Sequence, residues 1–370
     1  LKLGVNGWRI HGRRTGVGRY LLNVVSRWNH GGAFAAITFY SPHTLSGSGV
    51  RFPDCVKSAV LRSTWPMLVW ENLRLAFRAS DDVLFCPSYS RPLFTRCSTV
   101  VTTHDAVQQV HPELFPLSVR VFYNRLYGWS ARNAKLVITD SEAGRHDIVR
   151  YWRVPAAKIR VIYLAPAEFV QPIADTKERH VAAQAITGID APFFLFVGKI
   201  SGRRNLPCLL EAFALYKRTT GHPHVLVLAG LNPRKLNLKE ICDRLQIGKA
   251  VRYCEYLADD QLNLLYNAAE ALVMPSVYET VSLPVMEAQA VGTPVICIDT
   301  GGMREITGGA ALFVKTLEAK LLADAMSQLV ENTDLQRRLR DESLLNAKRF
   351  SWERCAAETL AVLAEAASMG

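Results

Sequence analysis

Two glutamates, Glu279 and Glu287, stand with seven residues between them in the stretch PSVYETVSLPVMEAQAVGTPVI, residues 275–296. Glu279 follows the apolar run EALVMPS, so it falls on a loop at a strand's carboxyl end. Pro284 suits the first turn of a helix, where no N–H is needed, and Gly292 suits its close. Glu287 therefore sits in the early turns of that helix, whose free N–H groups attract phosphate. One carboxylate of such a pair accepts hydrogen bonds from sugar hydroxyls, the other from ribose hydroxyls. Taken singly, Glu279 also reads as a solvated loop acid and Glu287 as a complement to the helix dipole. Their spacing and shared setting favour a nucleotide-sugar site.

Other residues carry complementary chemistry. GKISGRRN follows a second apolar run and holds Lys199, Arg203 and Arg204. Fixed cations of this kind stabilise the charge that builds on a departing diphosphate. Gly16 and Gly18 open a helix after the first strand, although GVGRYL lacks the third glycine of a dinucleotide fingerprint, with Leu21 in its place. Arg19 reads equally as a ligand and as an exposed helix-start arginine. His104 and Asp105 end the run TVVTTHD and so face a ligand crevice. Glu305 in GGMREI reads as a turn or helix cap. No Asp-x-Asp, EF-hand or zinc spacing occurs, so the expectation is metal-independent chemistry without a cofactor.

The elements that must position these residues alternate along the chain. KLGVNG, AAITFYS, DDVLFCPS, TVVTTHD, KLVITDS and IRVIYLAP read as strands, with GRYLLNVVSRW, SVRVFYNRLYGWSARNA and SEAGRHDIVRYW as helices between them. Ser141 is the N-cap of the last. A second series begins at FFLFVGKI and runs through HVLVLAGL, AVRYCEYL, EALVMPS and TPVICIDT, each followed by a helical stretch. Such alternation indicates α/β architecture with parallel, doubly wound sheets. The pattern weakens from APAEFVQPIADTKERH to TGIDAP, the expected boundary. The expectation is two Rossmann-like domains, 1–175 and 190–350, facing across a cleft, with a C-terminal helix of about 352–370 packing back on the first. Ligands in this architecture bind at the carboxyl ends of the strands.

Composition bounds the partners. The chain has 370 residues, 49% of them apolar, and 21% charged. Residues 1–180 hold 24 lysines and arginines against 12 acids, +12, so the whole excess of the chain's +11 lies in the first half. A basic half suits an anionic membrane surface, a phosphorylated substrate or nucleic acid. No RRM-type, helix-turn-helix or zinc signature supports nucleic acid. The eight cysteines form no Cys-x-x-Cys pair and sit largely in apolar runs, which suits a reducing compartment. No run is long enough to span a bilayer, and LKLGVNGWRI lacks a signal-peptide core. The expected location is cytoplasmic, peripheral on the inner face of the cytoplasmic membrane.

The Glu-x7-Glu stretch resembles the signature of the retaining family-4 glycosyltransferases of GT-B fold, and bacterial polysaccharide mannosyltransferases among them. The likeness extends to TGVGRYLLNVV, THDAVQQVHPELF, VITDSEAGRHDIVRYWRVPAAKIRVI, FVGKISGRRNLPCLLEAF and TGGMREITGGAALFV, in this order. The resemblance implies that Glu279 lies near the donor sugar and that Glu287 binds the ribose. It implies that Arg204 and Lys199 grip the diphosphate, that His104 lies against the donor sugar, and that the Gly16–Gly18 loop approaches donor phosphate and acceptor. Thr280, Val281 and Ser282 stand where the family carries Gly-Phe-Gly, whose backbone hugs the sugar and β-phosphate, with Leu283 next. Two lost glycines put the donor's identity in question.

The function expected from this is retaining transfer of a hexose or deoxyhexose from a nucleotide diphosphate sugar to a lipid-linked saccharide in surface polysaccharide synthesis. GDP-mannose is the first candidate donor. The alternatives are a non-catalytic sugar-nucleotide-binding subunit and a sugar-nucleotide epimerase on the same fold. Oligomeric state is not readable from the sequence.

Overall fold

The computed structural model describes residues 1–11, 16–29, 32–45, 51–233 and 235–369. Thr15, first residue of the TGVGRYLLNVV motif, and residue 370 of the expected last helix lie outside the described residues.

The chain divides into two compact units, Leu1–Ala165 with Phe350–Gly370, and Pro166–Arg349. Each is built on one parallel sheet. The first sheet contains β1 (Lys2–Asn6), β2 (Ala36–Ser41), β3 (Val56–Val60), β4 (Val83–Cys86), β5 (Ser98–Thr102), β6 (Leu136–Thr139) and β7 (Ile159–Val161). Their order is β3-β2-β1-β4-β5-β6-β7. The second contains β8 (Phe193–Val197), β9 (Val225–Ala229), β10 (Val251–Cys254), β11 (Ala271–Met274), β12 (Val295–Ile298) and β13 (Leu312–Val314), in the order β10-β9-β8-β11-β12-β13. The central strands VLFC, LVIT, FFLFV, VLVLA, ALVM and VICI are buried along their whole length. Helices on both faces of a parallel sheet demand such continuous apolar runs rather than alternation.

Strand order fixes where a ligand crevice opens. In the first sheet the chain turns from β1 to β2 on one side and to β4 on the other; in the second, β8 is flanked by β9 and β11. Loops leaving the carboxyl ends of such neighbours diverge and leave a crevice between them. The residues singled out after FFLFV and EALVMPS leave the carboxyl ends of β8 and β11.

Three elements differ from the sequence reading. Helix Thr176–Thr187, capped by the Asp175 carboxylate and closed by Gly188 at φ +68°, belongs to the second unit. The edge strand β3 shows a largely exposed pattern, and no apolar run announces it. Met67–Trp70 continues through a π-helical segment, Glu71–Leu75, into Ala76–Arg78, in a stretch left without an element by the sequence.

The last helix, Trp352–Ser368, packs within the first unit. The Trp28 indole donates to the Ala356 carbonyl at 3.1 Å, and Arg27 pairs with Glu353 at 2.9 Å. Arg160 forms an ion pair with Glu365.

Candidate active site

The second unit gathers the acidic and basic candidates at the ends of β8 and β11. Gly198 follows β8 at φ +143° and Gly230 follows β9 at φ +144°. A Cβ on Gly230 would stand 2.1 Å from the Gly198 carbonyl oxygen, so the two turns press backbone to backbone. Only glycine permits both that φ and that approach. The chain then makes a single 3-10 turn, Gly202–Arg204, and Asn205 in the left-handed region (φ +47°) starts helix Leu206–Thr220. This sharp reversal directs Arg203 and Arg204 back over the sheet end.

Both arginines meet Glu279. Arg204 Nη1 lies 2.9 Å from Glu279 Oε1, and Arg203 Nη1 lies 3.4 Å from Oε2. Glu279 is 1% exposed, and its Oε1 has no aligned hydrogen-bond donor despite that ion contact. A carboxylate so buried needs countercharge, and an unsaturated oxygen is a place for a ligand hydroxyl. Arg204 Nη1 also lies 3.4 Å from Ser276 Oγ and 3.5 Å from Ser282 Oγ. Burial pushes the Arg204 guanidinium below its usual value; Glu279 opposes that shift and Arg203 reinforces it.

The loop carrying Glu279 is held from behind. The Gly302 N–H donates to the Glu279 carbonyl at 2.8 Å, and a Cβ on Gly301 (φ +54°) would approach that oxygen to 2.1 Å. TGGM thus serves the site as a backbone buttress. Thr280, Val281 and Ser282 all keep ordinary negative φ, so the absence of the family glycines imposes no backbone strain here. Thr280 and Ser282 are buried, while Val281 and Leu283 are half-buried. Ser282 caps helix Leu283–Ala290 by position only, without a side-chain bond to the first turn, and Pro284 stands within that turn. The helix start is therefore not sealed by its own cap side chain.

Glu287 is buried on the same helix, and the Tyr266 hydroxyl donates to its Oε2 at 2.6 Å. Lys199 is exposed on the loop after β8. The ion pairs to Glu279 thus come from Arg204 and Arg203; the expected grip of Arg204 and Lys199 on a diphosphate is a separate role that these contacts do not address. Tyr266 could not be singled out from sequence, because a tyrosine in a helix (DDQLNLLYNAA) carries no signal of its partner.

The remaining candidates lie in the first unit. His104 follows β5, with Nδ1 2.6 Å from Asp140 Oδ2 and Nε2 3.3 Å from the Pro87 carbonyl. Burial works against the imidazolium, but the charge and hydrogen bond of Asp140, with Asp105 behind them, prevail and raise the His104 pKa. Tyr20 and Tyr89 flank the ring edge-on at 5.4 and 5.5 Å. Asp140 Oδ1 is buried without a partner. The equivalent endings TTHD and ITDS on neighbouring strands were the available signal for this pair. Gly16 is exposed at the start of helix Gly16–Val25. Gly18 is buried, and a Cβ there would lie 2.6 Å from the Arg9 carbonyl, so close packing by itself requires a glycine. Among the described residues, no group of three or more His, Cys, Asp and Glu could hold a metal ion.

The architecture and residue pattern agree with comparisons to known proteins. Residues 14–165 match the profile of Glycosyltransferase Family 4, and residues 182–344 match that of Glycosyl transferases group 1. The chain is 26% identical over 364 residues to O-antigen chain mannosyltransferase B of Escherichia coli, covering 94% of this chain and 95% of that protein. It is 24% identical over 293 residues to the O-antigen chain mannosyltransferase RfbU of Salmonella typhimurium, covering 77% of each. WaaG, a glycosyltransferase involved in lipopolysaccharide biosynthesis, superposes with a TM-score of 0.75 at 14% identity over 98% of this chain and 99% of its own. HepE of Anabaena, solved with UDP and glucose, gives a TM-score of 0.78 at 17% identity over the same shares. With two Rossmann-like units of the GT-B kind and a family profile matched in each, this chain belongs to the family-4, group-1 glycosyltransferases.

Proposed function

We propose that the chain transfers a hexose, with mannose as first candidate, from a nucleotide diphosphate sugar to a hydroxyl of a lipid-linked saccharide in surface polysaccharide assembly, with retention of anomeric configuration. The buried cluster of Arg203, Arg204 and Glu279 at the β8 and β11 ends carries this reading. The end-to-end likeness to an O-antigen mannosyltransferase supports the acceptor class. HepE, solved with UDP-glucose, supports a nucleotide diphosphate sugar as the donor.

The chemistry follows from the cluster. Arg203 and Arg204 supply two fixed positive charges where the diphosphate leaves, so they stabilise the transition state more than the ground state. The helix start at Leu283 adds N–H groups for the same phosphates. As the diphosphate takes over the guanidiniums, the Glu279 carboxylate becomes an acceptor for sugar hydroxyls and holds the reacting carbon in place. Glu287, oriented by Tyr266, accepts from the ribose. His104, whose protonated form Asp140 favours, serves as a donor to the sugar. The leaving phosphate takes the acceptor proton on the same face, which yields retention. Arginines here fill the electrostatic role of a cation, so turnover persists in EDTA.

The protein associates peripherally with an anionic cytoplasmic membrane surface, where a lipid-linked acceptor resides. The twelve-charge surplus of residues 1–180 supports this reading. Among the described residues no helix is long and apolar enough to cross a membrane.

The direct test is a transfer assay with GDP-, UDP- and dTDP-sugars and a polyprenyl-linked saccharide, with the product anomer read by NMR. Transfer with an α-linked product from an α-donor is expected. Binding of a donor without turnover would favour the non-catalytic subunit, and an inverted product would remove the retaining mechanism.

A further inference from the structure

The first unit carries an apolar surface with an unusual setting. The helix that begins at Met67 buries Trp70 and Leu75 completely, yet leaves Val69, Leu73 and Phe77 exposed at every fourth position. Phe77 is 78% exposed. Residues at this spacing share one face, so the helix has a second, uncovered apolar face opposite its core face. The next loop continues it. The Leu93 N–H donates to Asn72 Oδ1 at 2.8 Å, which ties Leu93 and the 84%-exposed Phe94 to that helix. The same loop is tied on its other side, where the Arg91 N–H reaches Ser130 Oγ at 3.4 Å. Ser130 lies on helix Asn124–Asn133, and the π-helical turn leading into it leaves Val121 and Phe122 exposed, with Leu117 just ahead. Three segments, the helix from Met67, the loop after β4 and the turn before helix Asn124–Asn133, thus present bare aliphatic and aromatic side chains.

The exposed charge of this stretch is mostly positive. Between residues 61 and 125 the exposed arginines are Arg62, Arg74, Arg78, Arg96, Arg120 and Arg125. The exposed acids are Asp82, which accepts from the Lys2 N–H, and Glu113, which pairs with His111. Beside the helix opens a hollow of about 570 Å³ lined by Arg62, Arg74, His43, Ser63, Thr64 and Trp65, with no acid among its lining residues. The Arg74 guanidinium lies 5.2 Å from the centre of the Trp65 ring. Two guanidiniums with hydroxyls and a tryptophan make a site for a phosphate whose ligand continues into an apolar phase.

We propose that this surface docks on an anionic phospholipid bilayer, with Leu73, Phe77, Phe94 and Phe122 entering the acyl boundary and the Arg62–Arg74 hollow holding a lipid headgroup phosphate. A protein partner would require acids to match the arginines and would bury the aromatics equally. The bilayer is favoured because exposed aromatics, an excess of exposed arginines in the same stretch and a cationic hollow fit one interface. This inference rests on the peripheral-membrane reading above.

The test is co-sedimentation of the full chain with vesicles of phosphatidylcholine alone and of phosphatidylcholine mixed with phosphatidylglycerol. Wild type is expected to bind the mixed vesicles, and less so as salt rises. Phe77→Ser combined with Phe94→Ser should weaken that binding by about tenfold or more, since each loses several buried CH groups from the membrane. Arg62→Gln with Arg74→Gln should abolish the preference for the anionic lipid. Both variants alter exposed positions, and unchanged thermal unfolding and nucleoside diphosphate binding verify their fold. Wild type that ignores mixed vesicles overturns both the membrane reading and this surface. Wild type that binds while both variants bind equally well overturns this surface alone. Concentration-dependent self-association lost in Phe77→Ser with Phe94→Ser, without vesicle binding, overturns it in favour of a protein interface.

Discussion

Glu279 is placed where a solvated loop acid would not be. It is enclosed, countercharged by two arginines, and left with one oxygen lacking an aligned donor. Glu279→Gln should therefore lower kcat by about 10²–10³-fold while leaving the protein folded, because the amide keeps the shape and loses the charge. Arg204→Lys should raise KM for the donor and lower kcat, since an ammonium lacks the fixed planar set of donors that a guanidinium presents. His104 offers a separate check. Its pKa is raised in the fold by Asp140 against the cost of burial, so its charged form is favoured. The stabilisation is complete below the unfolded value of about 6.5 and is lost as pH rises through the folded value. NMR titration of His104 should give a pKa above that of a free imidazole, and Asp140→Asn should lower it. A wild-type value at or below the free value would contradict the pairing. At this scale the sequence singled out Glu279, Glu287, Arg204 and His104 as candidates, and the structure shows Glu279 and Arg204 in contact and Glu287 and His104 each held by a partner. The sequence did not carry Arg203 as partner of Glu279, because only the 3-10 turn and the left-handed Asn205 decide which neighbouring cation faces inward. Asp140 and Tyr266 act through contacts 36 and 21 residues away in the chain, beyond the reach of local pattern.

Elements with a strong apolar run or a distinct cap were legible. FFLFV, VLVLA and VICI are strands because full burial on both faces demands them. Ser141 caps its helix as expected, accepting from the Gly144 N–H at 3.0 Å. Three elements were not legible, each for its own reason. β3 is an edge strand with exposed side chains, so it lacks a hydrophobic signature. Helix Thr176–Thr187 has its Asp and Gly signals but a weak apolar face. The helix from Met67 is apolar on two faces, which removes the periodicity that marks an ordinary surface helix. The buttress behind Glu279 yields a prediction at this scale. Gly301→Ala places a methyl against the Glu279 carbonyl and at a φ that costs an L-residue about 1–2 kcal/mol. Its unfolding midpoint should fall, and its KM for the donor should rise because the Glu279 loop must shift. An unchanged KM would show that the loop is held by other contacts.

At the scale of the chain, the alternation of strands and helices established two parallel-sheet units, and the strand orders place each crevice beside the central strand. The expected return of the C-terminal helix corresponds to Trp352–Ser368 covering helix Gly16–Val25, with Trp28 bonded to Ala356. Deleting residues 351–370 should thus lower the unfolding temperature of the first unit and leave nucleoside diphosphate binding within about twofold, because the residues proposed to bind the donor, Glu279, Glu287 and Arg204, belong to the second unit. Calorimetry with and without nucleotide measures both. Loss of nucleotide binding in the truncated chain would refute that assignment. The most direct test of the account is isothermal titration of nucleoside diphosphates into wild type, Glu279→Gln and Arg204→Lys. If the diphosphate and Glu279 compete for the same guanidiniums, Glu279→Gln binds as tightly as wild type or more so while its transfer is lost, and Arg204→Lys binds at least about tenfold more weakly. Equal affinity in wild type and Arg204→Lys, or binding lost in Glu279→Gln, would contradict it.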